Sequence, residues 1–317
     1  MSFDEILNSY GINNYNVERV RSAYKISSDK NNFLVKKFNS ERKLMNTYKI
    51  LNYLSENNFR YTNRICKNNY GKFCFEIGGK FYGFFNWIDG REANFKNHKE
   101  ILKCTRMIYK FHDCVKNLNY NHMDIKDNSD WIKKLNLDVK NLCDIEKKIL
   151  KKFYVDKLDK FYLLNVKRAI HKIINIIKFL EENDFSKYSR NNNICHDSLY
   201  YQNFLIKNHK VYIIDFGGIC INNRIYDLAR FARRIFYKNK FDFTILNNIY
   251  NIYNELYRFN DFEKFIFCKY LDYPYKFVRL SCKFYLKDTN MKSDKLFCKF
   301  IKYVDYELNF NERYDFI

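Results

Sequence analysis

The chain has 317 residues, 47% hydrophobic and 19% aromatic, a content that suits a core large enough for two lobes and excludes a disordered chain. No apolar run reaches the roughly 18 residues of a membrane span, and the opening Met-Ser-Phe-Asp-Glu lacks the basic and apolar regions of a secretion signal, so synthesis in the cytoplasm is the expectation. The net charge of +21 suggests a polyanionic partner, but the lysines are spread along the chain without a dense basic block, and the surplus of Lys, Asn, Ile, Phe and Tyr follows codons rich in A and T; nucleic acid is therefore not the expected partner.

Ser2 to Glu5 reads as a capping box that opens a short helix through Tyr10. Residues 16–26 alternate enough to predict a strand, Ser27–Asn32 a turn, and Phe33–Phe38 a second strand that completes a hairpin. Ser40 caps a predicted helix from Glu41 to Glu56, with Leu44, Ile50, Leu51 and Leu54 on one side. Phe73–Ile77 and Lys80–Phe85 flank Gly78-Gly79, the signal of a tight hairpin, which Trp87–Glu92 ends. Beyond residue 95 the pattern turns helical. Residues 99–116 are amphipathic, and 169–182 carry Ile170, Ile173, Ile174, Ile177 and Leu180 at helical spacing. Residues 194–214 return to loop and strand, and aromatic-rich helices dominate from Ile225 onward. The expectation is an α+β protein with a bilobal, protein-kinase-like order. Residues 1–90 form a small antiparallel-sheet lobe with a hinge near 86–92. Residues 91–317 form a mainly helical lobe, with an inserted hairpin at 194–218. Ten scattered cysteines without a Cys-x-x-Cys pair read as reduced thiols, and not as a zinc or thioredoxin-like site.

The segment from Ile194 to Gly217 carries the candidate chemistry. Phosphoryl transfer needs a cation on the phosphates, Mg²⁺ held by hard oxygen ligands, and an acid that orients the acceptor hydroxyl. Lys36, in Phe-Leu-Val-Lys, is placed by strand alternation to project into a cleft and hold phosphates; its plainer reading is a solvated strand lysine. Asp215 follows the apolar Val-Tyr-Ile-Ile and precedes Phe-Gly-Gly, twelve residues after Asn203. The two are candidate metal ligands, against the plainer reading of Asp215 as a turn residue. His196 is expected to anchor the loop from beneath, and Asp227 to cap the next helix or brace the loop.

At these residues the chain resembles the aminoglycoside phosphotransferase and choline kinase superfamily, and within it the CotS family of spore coat proteins. The superfamily pattern His-Gly-Asp-x-x-x-x-Asn is similar to His196-Asp-Ser-Leu-Tyr-Tyr-Gln-Asn203, followed by Ile214-Asp-Phe216 and Asp227-Leu-Ala229. Asn86–Glu92 resembles the hinge of CotS-type proteins, which implies that Trp87 contacts nucleotide. Met107–Asp113 and Val20–Ile26 resemble their following helix and first hairpin. The likeness runs from about residue 15 to 260 and implies bound ATP and Mg²⁺. Ser198 stands where the superfamily has its catalytic aspartate, and Asp197 stands at the usual glycine. A serine hydroxyl does not accept a proton near neutral pH as a carboxylate does. Asp197 could take that role only if the loop shifted by one residue. The helix after Lys36 offers no glutamate near Thr47 or Tyr48, where a partner for that lysine is expected, and Ser22 and Ala23 are read as a glycine-free turn over the nucleotide. The resemblance thus implies a CotS-type spore coat protein, degenerate in catalysis and working with other coat proteins in coat assembly. The alternative is an active ATP- and Mg-dependent phosphotransferase on a small hydroxyl or amino compound or on a coat protein.

Overall fold

The computed structural model describes residues 3–29, 31–188, 193–286 and 294–309. The chain begins with helix α1 (Phe3–Ser9), strands β1 (Tyr15–Val20), β2 (Ala23–Ser28) and β3 (Asn32–Phe38), and helix α2 (Glu41–Glu56). Strands β4 (Phe75–Ile77), β5 (Lys80–Asn86) and β6 (Arg91–Glu92), helix α3 (His98–Val115) and strand β7 (Lys126–Asp127) follow. Next come helices α4 (Trp131–Leu150), α5 (Lys157–Glu182) and α6 (Phe185–Tyr188). Four short strands, β8 (Asn193–Cys195), β9 (Phe204–Lys207), β10 (Lys210–Ile213) and β11 (Cys220–Asn222), precede helices α7 (Arg224–Lys238), α8 (Phe243–Tyr257), α9 (Asp261–Asp272), α10 (Tyr275–Tyr285) and α11 (Asp294–Asn309). The backbone forms two compact units, one of residues 1–127, 193–227 and 248–257, the other of residues 128–192, 228–247 and 258–317.

The first unit is built on a five-stranded antiparallel sheet in the order β1-β2-β3-β5-β4. Its apolar face is covered by α1, and Ile6, Leu7, Ile26, Val35, Phe75 and Phe84 are buried together. Tyr10 stacks on Phe84 with ring centres 4.4 Å apart. Gly78 and Gly79, both at positive φ, close the β4–β5 hairpin, the two-residue turn whose twist suits antiparallel strands. Ser40 caps α2 by accepting from the Lys43 N–H. The sequence predicts one strand over 16–26, but the chain folds back within it. Val20 pairs with Ala23, leaving Arg21 and Ser22, not Ser22 and Ala23, as the turn. No glycine, proline or asparagine marks that turn, so the stretch reads as a single strand. The capping role of Ser2 lies outside the described residues.

Two small sheets carry the loops after β8. In one, β9 pairs with β10 and with β6; in the other, β11 pairs with β8 and, in parallel, with β7.

The second unit is helical. The helix predicted over 169–182 extends back to Lys157, where Asp156 and Asp159 form a capping box; the added turns hold Tyr162 and Val166, which are buried in line with Ala169. Tyrosines serve as core residues with their hydroxyls satisfied. Tyr162 donates to the Leu142 carbonyl at 2.6 Å and its ring stacks on Phe277, while Tyr273 donates to Asp138 at 2.7 Å. Buried Glu307 accepts from the Lys276 and Phe277 N–H groups at the start of α10, taking the place of an N-cap side chain where Pro274 has none to offer.

Candidate functional site

A cleft of about 240 Å³ opens in the first unit. Lys36, Trp87, Asn203 and Asp215 line it, together with the turn residues Arg21 and Ser22, with Thr47 and Leu51 of α2, and with Gly217. Four of the residues singled out from the sequence, drawn from positions 36 to 215, thus converge on one cleft. Asp197 and Ser198 are not among the lining residues.

Lys36 reaches the cleft from β3. Its ammonium pairs directly with the Asp215 carboxylate. Burial pushes the Asp215 carboxyl up, but the Lys36 charge and hydrogen bond outweigh it and hold the carboxyl below its ordinary value. From α2, Thr47 and Leu51 reach the cleft and no carboxylate does. The Thr47 hydroxyl donates to the Lys43 carbonyl at 2.7 Å. The partner of Lys36 therefore comes from the end of β10, 179 residues away, and not from the helix.

Asp215 has φ 71° and ψ 64°. This left-handed conformation is uncommon outside glycine but tolerated by aspartate, and it opens the chain into the Phe216–Gly218 turn. A Cβ on Gly217 would lie 3.3 Å from Lys36 Nζ, and one on Gly218 would lie 2.8 Å from Ser198 Oγ. The two glycines therefore let the Phe216–Gly218 backbone pass close to both side chains.

The His196–Asn203 loop is fixed from below by Asp227, which is fully buried in the first turn of α7. Its two carboxylate oxygens accept from the loop backbone, Oδ2 from the His196 N–H at 2.6 Å and Oδ1 from the Asp197 N–H at 2.9 Å. His112 Nε2 donates to Oδ2 at 3.3 Å and accepts at Nδ1 from the Tyr253 hydroxyl at 2.7 Å. Burial pushes the Asp227 carboxyl up, but the bonds and charges around it win, leaving it below its ordinary value. His196, also fully buried, donates from Nε2 to the Ile214 carbonyl at 3.1 Å and accepts at Nδ1 from the Ser198 N–H at 3.3 Å. Both histidines are used as neutral rings. Burial lowers their affinity for a proton despite the neighbouring carboxylates.

These bonds hold the loop in register. Asn203 Nδ2 donates to the Ser198 carbonyl at 2.8 Å, closing the five-residue arc on Ser198. Asp197 stays outside the arc that Asn203 closes on Ser198. It takes φ 60°, the conformation that explains a glycine there in the superfamily pattern, and its Oδ1 accepts from the Tyr226 hydroxyl at 2.8 Å. Asp197 thus takes the left-handed position next to the arc that Asn203 closes on Ser198. Tyr226 and His112, which brace this loop, escaped the sequence reading because their partners lie far away in the chain. The Phe111-His112 pair at the end of α3 was their one visible signal.

Trp87 is among the residues that line the cleft. Lys25 Nζ sits 4.9 Å from the Trp87 ring centre, and the shielded indole N–H meets no hydrogen-bond partner among the described residues.

Hard oxygen donors from Asp215 and Asn203, lining the same cleft as an ammonium, suit Mg²⁺ with a polyphosphate. No helix among the described residues is long and apolar enough to cross a membrane.

The fold recurs in solved structures. An aminoglycoside phosphotransferase from Alicyclobacillus acidocaldarius superposes with TM-score 0.83 at 15% identity, covering 97% of this chain and 94% of the other. An amicoumacin kinase in complex with AMP-PNP, Ca²⁺ and Ami gives 0.68 at 12% identity, over 97% and 93%. The choline kinase LicA from Streptococcus pneumoniae gives 0.58 at 12%, over 96% of each chain. No curated protein matches the sequence. These likenesses establish a kinase-like α+β fold, with an antiparallel-sheet N-terminal region and a mainly helical remainder. Residues 17–262 match the phosphotransferase enzyme family, and the chain belongs to that family.

Proposed function

We propose that this phosphotransferase-family protein binds ATP with Mg²⁺ in the cleft, that its phosphoryl transfer is weak or lost, and that it acts in spore coat assembly in the manner of CotS-type proteins. The observation that supports the reading is the loop fixed through Asp227, His196 and Asn203, in which we take Ser198 to stand for the catalytic aspartate of the family pattern. Lys36 and the Trp87 side of the cleft would hold the nucleotide. Asp215 and Asn203 would hold Mg²⁺, which supplies charge neutralisation on the phosphates. With Nδ2 committed to the Ser198 carbonyl, Asn203 would present Oδ1 to the ion. Synthesis in the cytoplasm, residence in the spore coat and contact with other coat proteins belong to this reading.

A second reading is favoured by the intact Lys36–Asp215 pair beside Asn203: an active phosphotransferase acting on a small hydroxyl or amino compound or on a coat protein. Solved neighbours include a spectinomycin phosphotransferase in complex with ADP and spectinomycin.

Thermal unfolding with and without ATP and Mg²⁺, wild type against Asp215→Ala, tests the shared core, because a ligand that binds the folded state raises its midpoint. A shift in the wild type that the variant loses is expected. No shift at millimolar ATP would remove the nucleotide from both readings. Coat incorporation of Asp215→Ala then separates them: the first expects it intact, and its loss would count against a scaffolding role.

A further inference from the structure

The turn over the cleft is made by the wrong residue for a backbone phosphate loop. Val20 pairs with Ala23, so Arg21 and Ser22 alone make the β1–β2 turn, and Arg21 adopts φ 57°. Ala23 pairs in turn with Lys36 on β3. The turn thus lies at the same end of the sheet as the cleft lysine, one strand over. Arg21, Ser22 and Lys36 line the same cleft. A glycine at such a position lets backbone N–H groups approach phosphate closely; a Cβ and a long side chain obstruct that approach. The arginine offers instead a five-donor cation whose planar fork matches phosphate oxygens.

The guanidinium is already drawn over the cleft. It pairs with Glu92 of β6, another lining residue, and lies 6.0 Å from the Tyr201 ring centre. The Arg19 side chain donates to the Arg21 carbonyl at 3.2 Å and steadies the turn. The arrangement has two matched halves, in which Lys36 is parked on Asp215 and Arg21 on Glu92. The outer pair is 46% and 41% exposed, and exposed ion pairs are weak. A polyphosphate entering the cleft competes with Glu92 for Arg21 at little cost.

We propose that Arg21 is a side-chain clamp for the phosphate tail of a nucleoside triphosphate, and that Glu92 is the resting partner it leaves. The inference rests on the nucleotide reading above. It assigns polyphosphate recognition to a side chain in place of a glycine turn, and it makes Glu92 an internal competitor of the ligand.

Titration calorimetry on the full chain with Mg·ATP, Mg·ADP and adenosine tests it. Arg21→Ala is expected to weaken Mg·ATP by about tenfold, the loss of one charge-assisted contact, while adenosine binding stays within twofold. Arg21→Lys is expected to fall between, and Glu92→Gln to tighten Mg·ATP. Unchanged adenosine binding also shows that the variants are folded. Equal losses for ATP and adenosine in Arg21→Ala, or unchanged ATP binding, would overturn the clamp. Weakening by Glu92→Gln to the level of Arg21→Ala would mark the pair as structural and overturn it too. A wild type that binds no ATP ends the nucleotide reading and the clamp together, whereas wild-type binding with an unaffected Arg21→Ala ends the clamp alone.

Discussion

Replacing Asp227 with asparagine changes one atom and should disable the loop that carries Ser198. The carboxylate is fully buried and accepts from the His196 and Asp197 N–H groups and from His112. An asparagine keeps one oxygen and turns an NH₂ group toward a donor. At least one loop N–H is then stranded, at about 1–3 kcal/mol, and a charge-assisted bond worth about 1.5–3 kcal/mol is lost. The sum is about 2.5–6 kcal/mol, which brackets the roughly 3–5 kcal/mol found when one partner of a buried ionic pair is removed. That is a large part of the 5–15 kcal/mol by which domains are stable. Urea titration reads it, and the chain supplies its own probes: of its two tryptophans, Trp87 lies in the first unit and Trp131 in the second. In a Trp131→Phe background, Trp87 fluorescence reports the unit that contains Asp227. The expected result is a lower midpoint with little change in slope, together with weaker ATP binding. A loss below about 1 kcal/mol would refute the argument that this carboxylate holds the loop in register.

Ser198→Asp should restore the missing acid in a loop already in register, raising Mg·ATP turnover by about a hundredfold or more; unchanged turnover with ATP still bound would show that the defect lies elsewhere. Gly218→Ala would set a Cβ 2.8 Å from Ser198 Oγ and should destabilise by about 1–3 kcal/mol. Adding Ser198→Ala should relieve most of that loss, and additive behaviour in the double variant would refute the contact. Buried His112 holds its proton less well in the folded protein than in the unfolded chain. Its contribution is present above the unfolded value near 6.5 and is lost as pH falls toward the folded one. His112→Asn should flatten the loss of stability between about pH 7 and pH 5 by up to ~1.4 kcal/mol per pH unit; an identical slope would show that His112 is not the group responsible.

Local signals made much of the fold legible. Ser40 with Glu41–Glu56, Gly78-Gly79 between two apolar runs, and the amphipathic stretch that became α3 each encode their element within a few residues. The β1–β2 turn at Arg21-Ser22 was misplaced because neither residue is a glycine, proline or asparagine, and arginine seldom takes the left-handed conformation that Arg21 adopts there. The first half of α5 was missed because Tyr162 and Val166 are less conspicuous than the isoleucine row that follows. For the site, residue types and spacing pointed to Lys36, Asn203 and Asp215, but not to their partners.

What the sequence determined by itself was the order of parts and the substitution at their centre: a lysine strand, a hinge, a His-Asp-Ser loop ending at Asn203, and an aspartate before Phe-Gly-Gly. Those are properties of neighbours in the chain, and each follows from local conformational preference. Only the tertiary structure decided that Lys36 pairs with Asp215, that Asp227 grips the loop backbone, and that Asp197 fills a left-handed position beside Ser198. These are matters of charge and hydrogen-bond satisfaction between segments from 30 to 179 residues apart, where burial makes every unpaired group costly and local pattern carries no record of the partner.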